Sequence, residues 1–409
     1  MLICGPMPAE TPTRRTVLRA AAMGAVAFSA GSYNRILGAN GQIQLGLIGC
    51  GGRGVGVLRQ FVKNESIRTT ALCDVYSARI DDAKNVAPEA RSFRAHEELL
   101  AQDDVDAVLI ATPDHWHAQI TIDAANAGKD IYVEKPLTLK LEEGPPIVKA
   151  VRLNERICQV GMQQRSSKHY LRAKEKYFDS GAIGKVTMAR TWWHGNAAHL
   201  RGYPPDAEER PSNLDWGRYL GPIKWRPYNP PEYFNFRAYL EYGGGQITDL
   251  FTHWIDAVHL FMGQDDPVSA VAAGGVYHYK DGRTAPDTIN CLLEYQQEWT
   301  ATFEATLAPG QRGAAIEVIG TEGRLYIDRA HYEYYAKGED KPSEVMQAEG
   351  DMTLDHVNNF IDCVQSRELP NGDVWIGHRS AQASHLGNIA YLQQRRIKFD
   401  PNREEILPL

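Results

Sequence analysis

The residues with the clearest chemical potential begin at Gly49-Cys50-Gly51-Gly52-Arg53-Gly54, a glycine-rich turn followed by a helix-like run from Val55 to about Lys63. Gly49 suits a tight turn, Gly51 lets backbone approach a pyrophosphate, and Gly54 lets helix and strand pack closely. Free N–H groups at such a helix start, beside Gly52 and Arg53, favour a bound phosphate. Asp74 stands twenty residues beyond Gly54. A carboxylate there can accept hydrogen bonds from both adenosine ribose hydroxyls and would repel a 2′-phosphate. The combination points to a dinucleotide, and to NAD rather than NADP. Two further segments carry polar chemistry, Thr112-Pro113-Asp114-His115-Trp116-His117 and Glu134-Lys135-Pro136. An ammonium at Lys135 beside the reacting carbon would hydrogen-bond a substrate hydroxyl and help stabilise an alkoxide as hydride leaves.

These segments need elements to bring them together, and the apolar pattern supplies them. Ile43–Ile48 and Thr69–Cys73 read as strands, followed by Val105–Ala111, Ile131–Val133 and Ile157–Val160. Helical patterns at Ala118–Ala127 and Pro146–Asn154 separate the later ones. Alternation of this kind builds a doubly wound parallel sheet, whose ligands gather at the carboxyl ends of the strands. All three motifs fall at such ends. The fold class expected is α/β, with an N-terminal Rossmann sheet.

In this order the motifs resemble those of the Gfo/Idh/MocA oxidoreductases. The matching residues are Gly49–Gly54, Ala111-Thr112-Pro113 with His117, Glu134-Lys135-Pro136, and a later Gly243-Gly244-Gly245-Gln246-Ile247-Thr248-Asp249-Leu250-Phe251-Thr252-His253. The resemblance runs from about residue 42 to the end. It implies that Lys135 contacts substrate and cofactor, and that Asp249 and His253 complete the catalytic set, with the histidine taking the proton of the oxidised hydroxyl. The spacing agrees, since residues four apart share a helix face and a carboxylate can then position an imidazole. Cofactor contacts are expected from Gly49, Gly51, Gly52, Arg53, Gly54, Asp74, Thr112, Pro113, His117, Glu134, Lys135 and Gln163.

Beyond Gln163 the texture changes. Strand-like runs occur at Val186–Trp193, Val268–Ala273, Ile289–Tyr295, Thr300–Thr306, Ala315–Ile319 and Arg324–Ile327, with helical patterns near His169–Phe178, Thr248–Phe261, Leu354–Gln365 and His378–Gln394. This reads as an α+β domain with a mostly antiparallel open sheet. The resemblance implies that its outer face joins subunits into a homodimer or homotetramer. Residues 191–242 hold twelve aromatics among prolines, histidines and arginines. Such a stretch suits either a sugar or cyclitol ring or packing over a junction. Arg165, Trp193, His194 and Arg237 are the candidate substrate contacts, with Gln163 near them. His194, His199 and His253 lack a cysteine or carboxylate to complete a metal site, so none is expected.

Net charge is −7 and no basic stripe stands out, which offers no footprint for nucleic acid. No apolar run reaches the roughly 20 residues that span a bilayer. Six cysteines without paired short spacing suggest neither a disulfide framework nor a zinc site. Arg14-Arg15 precede a weakly apolar stretch from Ala20 to Ala30, the order of a twin-arginine signal for export to the periplasm. The expected organisation is a leader over residues 1–40, a dinucleotide domain over 41–163 and a substrate and oligomerisation domain over 164–409. The function expected is NAD-dependent oxidation of a secondary hydroxyl in a sugar, glycoside or cyclitol. The alternatives are a glycoside hydrolase or lyase that oxidises the sugar transiently, and a dinucleotide-binding sensor.

Overall fold

The computed structural model describes residues 41–310 and 312–408, so the leader expected over residues 1–40 lies outside the described residues. Six short strands form the first sheet: β1 (Ile43–Ile48), β2 (Ile67–Cys73), β3 (Arg91–Phe93), β4 (Ala107–Ile110), β5 (Asp130–Val133) and β6 (Cys158–Val160). All pair in parallel, in the order β3-β2-β1-β4-β5-β6. β4 and β5 are buried at every position, as strands covered on both faces must be. Three helices matter for the site or its support: α1 (Gly52–Phe61), α2 (His117–Asn126) and α3 (Gly144–Leu153). The strand order reverses between β1 and β4, which opens a crevice at their carboxyl ends. β3 was not anticipated, because three mostly exposed residues carry no apolar period.

The second sheet has ten strands. They are β7 (Val186–His194), β8 (Pro267–Gly275), β9 (Thr288–Tyr295), β10 (Thr300–Thr306), β11 (Gly313–Gly320), β12 (Gly323–Ile327), β13 (His331–Ala336), β14 (Glu344–Gln347), β15 (Ile397–Asp400) and β16 (Glu405–Leu407). Their order is β14-β13-β12-β11-β7-β10-β9-β8-β15-β16. β7 and β10 run parallel, and the other neighbours are antiparallel. The sheet is therefore largely antiparallel, as the alternation of apolar and polar residues in β9 and β10 leads one to expect. The last four strands in chain order, β13 to β16, lie outside the segments anticipated.

Helices α4 (Thr252–Met262) and α6 (Val374–Gln393) share this sheet's core, where Trp254, Phe251, Phe303 and Ile316 are fully enclosed. Gly387 of α6 permits the approach, since a Cβ there would stand 2.7 Å from Cys291 Sγ. Helix α5 (Met352–Ser366) is capped by Asp351, whose carboxylate accepts from the Thr353 and Leu354 N–H groups. It meets α1 edge-on through Phe61 and Phe360, ring centroids 5.9 Å apart. The five cysteines among the described residues are free and buried.

Candidate active site

The glycines at the start of α1 divide the labour by geometry. Gly49 sits at φ +93°, and a Cβ there would lie 2.6 Å from the Ala111 backbone. At Gly54 a Cβ would fall 2.0 Å from the Gly49 carbonyl oxygen, so this glycine fixes helix to turn and faces no ligand. Added Cβ atoms at Gly51 and Gly52 would meet nothing. No side chain caps this helix start, which leaves its N–H groups pointing into open space. Thr112 Oγ1 is buried and without a partner nearby. These features fit a pyrophosphate-bearing dinucleotide, with Gly51, Gly52 and Arg53 around the phosphates.

A cavity of about 520 Å³ runs from this cradle along the carboxyl ends of the parallel strands. At one end Asp74 accepts from the Cys50 N–H (2.8 Å) and the Tyr76 N–H (2.9 Å). Burial raises its pKa, and those two N–H groups oppose the shift. Glu134 binds Arg53 at 2.7 Å, and Gly161 gives the carboxylate room, because a Cβ there would come within 3.0 Å of it. Gln163 completes this corner: with its amide oriented to suit its neighbours, its nitrogen donates to the Gly161 carbonyl at 3.1 Å and its oxygen accepts from Arg53.

At the other end Lys135 Nζ donates to Asp249 Oδ1 at 2.6 Å and to the Asp249 carbonyl at 2.8 Å. Asp249 Oδ2 is 2.8 Å from His199 Nε2, and Arg237 Nε lies 3.3 Å from Oδ1. Burial pushes the Asp249 carboxyl upward, but Lys135 and Arg237 outweigh it and hold the group well below the usual carboxylate range. Asp249 is thus a permanent anion that orients its neighbours and makes a poor base. Burial keeps His199 neutral, so its single ring hydrogen belongs on Nε2, facing the carboxylate.

His253 lines the same end of the cavity, with its Nδ1 buried and lacking a partner. Burial first, then Lys135 and Arg329, lower its pKa well below the ordinary histidine value. The expectation that Asp249 holds His253 is corrected. Asp249 lies in a π-helical turn, Ile247–Phe251, whose wider winding breaks the four-residue register, and its carboxylate serves Lys135 and His199 instead.

Two other expectations also need correction. Arg165 does not reach the cavity: its Nε donates to both oxygens of buried Asp256 at 2.8 and 2.9 Å. His194 follows Trp193 in β7, and strand alternation turns Trp193 into the cavity and His194 to the opposite face. His117 lines the cavity, its ring nitrogens 2.7 Å from the Pro136 carbonyl and 2.9 Å from the Thr112 carbonyl, so the ring bridges two strand-end loops with its single N–H donating to one of them. Pro113, Trp193 and Arg237 do line the cavity.

Two residues of weight were not foreseen. His199 was considered only as a metal ligand. Asp114 belongs to the Thr112–His117 segment, in which the sequence pattern assigns it no role. It is buried, with Oδ2 unpartnered and facing Gly243, and it lines the cavity. The aromatic stretch both packs and binds. Trp216, Tyr219, Leu220, Tyr239 and Tyr242 form a small core of their own, while Tyr233, Phe234 and Phe236 line the cavity. The Tyr219 carbonyl accepts from Trp116 Nε1 at 2.9 Å and lies 2.8 Å from His115 Nε2, which pins this stretch to the Thr112–His117 loop.

A parallel sheet with a phosphate cradle, and a lysine and histidine beyond it, defines a dinucleotide-dependent oxidoreductase site. Comparison with known proteins agrees. A family model described as "Oxidoreductase family, NAD-binding Rossmann fold" matches residues 43–162, and its companion, "Oxidoreductase family, C-terminal alpha/beta domain", matches residues 189–408. The chain belongs to the Gfo/Idh/MocA family of NAD-binding oxidoreductases. It is 26% identical to the scyllo-inositol 2-dehydrogenase (NAD(+)) of Bacillus subtilis over 287 residues, 67% of this chain and 71% of that one. It is 34% identical to the alpha-N-acetylgalactosaminidase of Shewanella oneidensis over 125 residues, which is 28% of this chain and 27% of the relative. A levoglucosan dehydrogenase solved with NADH and levoglucosan superposes with TM-score 0.69 at 19% identity, covering 87% of this chain and 99% of that one. At that identity the superposition speaks for the fold.

Proposed function

We propose that this protein is an NAD-dependent dehydrogenase acting on a secondary hydroxyl of a sugar, glycoside or cyclitol. The observation that carries the reading is the Lys135–Asp249–His199 chain at the cavity end that His253 also lines. NAD held by Gly51, Gly52, Arg53 and Asp74 would supply the hydride acceptor for the carbon that carries the hydroxyl. Lys135, held by Asp249, donates to the substrate oxygen and stabilises the negative charge that develops there. His253 is held neutral, so its ring can take the hydroxyl proton, although burial and Lys135 make it a weaker base than an ordinary histidine. Asp249 and His199 keep the lysine aimed. Asp74 receives the adenosine ribose, which supports a preference for NAD over NADP.

Replacing Lys135 by Ala should lower turnover by about 10²–10³ or more while the protein still binds NAD(H). Activity close to that of the parent would remove Lys135 from the mechanism. The match to a glycosidase favours one competing reading, in which oxidation is transient and the sugar is cleaved without net redox change. A panel of aryl glycosides scored separately for NADH and for free aglycone separates the two, and the proposal expects NADH. The protein is further proposed to be exported through the Arg14-Arg15 signal and to assemble as a homodimer or homotetramer across the outer face of the ten-stranded sheet.

A further inference from the structure

The cavity carries more positive charge than its carboxylates and a dinucleotide can answer. Among its lining side chains, lysines and arginines outnumber carboxylates eight to four. NAD in its oxidised form offsets little of that excess, because its pyridinium cancels one of its two phosphate charges. Most of the cations have assignments. Lys135 and Arg237 serve Asp249, Arg53 serves Glu134, and Arg218 reaches Glu97 and Asp215 outside the cavity. Arg79 and Arg94 act on Asp74 at the ribose end.

Arg201 and Arg329 are left over. Neither has an ion pair or a conventional hydrogen bond among the described residues, yet both line the cavity. Arg329 stands in the turn between β12 and β13, with its guanidinium 4.7 Å from the Trp193 ring centroid and 5.7 Å from that of Trp254. Trp193 in turn lies 6.1 Å from the His253 ring, so arginine, indole and imidazole share one wall. Arg329 is solvent-exposed at the edge of the cavity, so its guanidinium meets water there, with Asp249 and Glu134 acting on it only from a distance. Arg201 is exposed as well, and Arg237 and Arg79 nearby add to the positive field around it. A guanidinium resting on an indole keeps its edge N–H groups free, and that edge matches a planar carboxylate in a two-point contact.

We propose that the substrate is an acidic sugar, a uronate or a closely related sugar acid, whose carboxylate is received by Arg329 on its Trp193 platform while Arg201 adds to the attracting field. The inference rests on the reading of this cavity as a sugar site. A sugar phosphate is the competing anion. It carries more charge in a tetrahedral group, for which one guanidinium edge is a poorer match.

The test is calorimetric binding of glucuronate and galacturonate, against glucose, galactose and glucose 6-phosphate, to the protein loaded with NADH, which cannot take a further hydride from the sugar. The parent and the Arg329→Leu and Arg329→Lys variants are compared. Expected is a uronate affinity about tenfold or more above that of the matched neutral sugar, falling as salt rises. That preference should be lost in Arg329→Leu and partly kept in Arg329→Lys. Equal or tighter binding of the neutral sugars, tighter binding of the phosphate ester, or a preference that survives in Arg329→Leu would overturn it. Binding is read without turnover. A protein that binds uronate but reduces no NAD with any sugar keeps this inference and loses the dehydrogenase reading.

Discussion

Asp114 is a buried carboxyl that holds its proton near neutral pH. Burial, and then the charge of Asp249, push its pKa up to about 7, against Arg237 and Lys135. A carboxyl raised in this way favours the fold most when protonated. Its contribution is full below the ordinary value of 3.8 and is lost as pH rises to about 7. Asp114→Asn should therefore gain stability relative to the parent as pH climbs through that window, and the gain should level off above it. Melting temperatures of both proteins from pH 4 to 9 would check this, and a constant difference would mean that Asp114 does not titrate there. A second outcome concerns His199, whose hydrogen bond to a charged group is worth about 1.5–3 kcal/mol. His199→Ala should cost roughly tenfold or more in kcat, with NAD binding retained. Lys135, Asp249 and His253 stand out in the sequence because each sits in a short local pattern, and all three line the cavity. His199 does not, since its bond to Asp249 spans 50 residues of irregular chain and leaves no periodic trace.

Elements decided which of the expected side chains reach the cavity. The period of two in β7 separates Trp193 from His194, a distinction that residue type alone does not make. The π-helical turn at Ile247–Phe251 likewise redirects Asp249, although its position on the motif was read correctly. Arg165 shows the opposite case, a polar residue near the site whose work is structural. Its pair with Asp256 is enclosed, and Ser380 of α6 donates to the same carboxylate at 2.8 Å. Arg165→Met strands a buried charge, so unfolding should become easier by about 3–5 kcal/mol, while KM for the substrate stays near the parent value. Denaturation and kinetics on one preparation would show both effects, and a raised KM at unchanged stability would return Arg165 to the substrate. The parallel strands were readable because full burial demands continuous apolar runs, as in β4 and β5. The late strands were not. β14 and β16 are short and partly exposed, and their pairing comes from neighbours far away in sequence.

For the whole molecule, the two sheets and the family follow from the order of motifs along the chain, while the roof of the cavity does not. That roof is the aromatic stretch, folded as a satellite core and hung from the Thr112–His117 loop through the Tyr219 carbonyl. Either of the two purposes considered for it would have left half its residues unexplained. A roof of this kind suits a cofactor that stays in place between turnovers, as the proposed export would require, because that compartment lacks a pool of free NAD. Protein purified from the exported fraction should carry dinucleotide through gel filtration, and denaturation should release it in near-equal amount to the chain. Protein that emerges empty and needs added NAD for each turnover would speak against retention. Trp193 offers a way to watch this directly. Reduced nicotinamide absorbs where indole emits, so an indole in the cavity wall is a built-in energy-transfer donor. Its glow should dim when the cofactor is reduced and brighten when the hydride is passed on, which makes the resting redox state of the protein visible in a single emission spectrum.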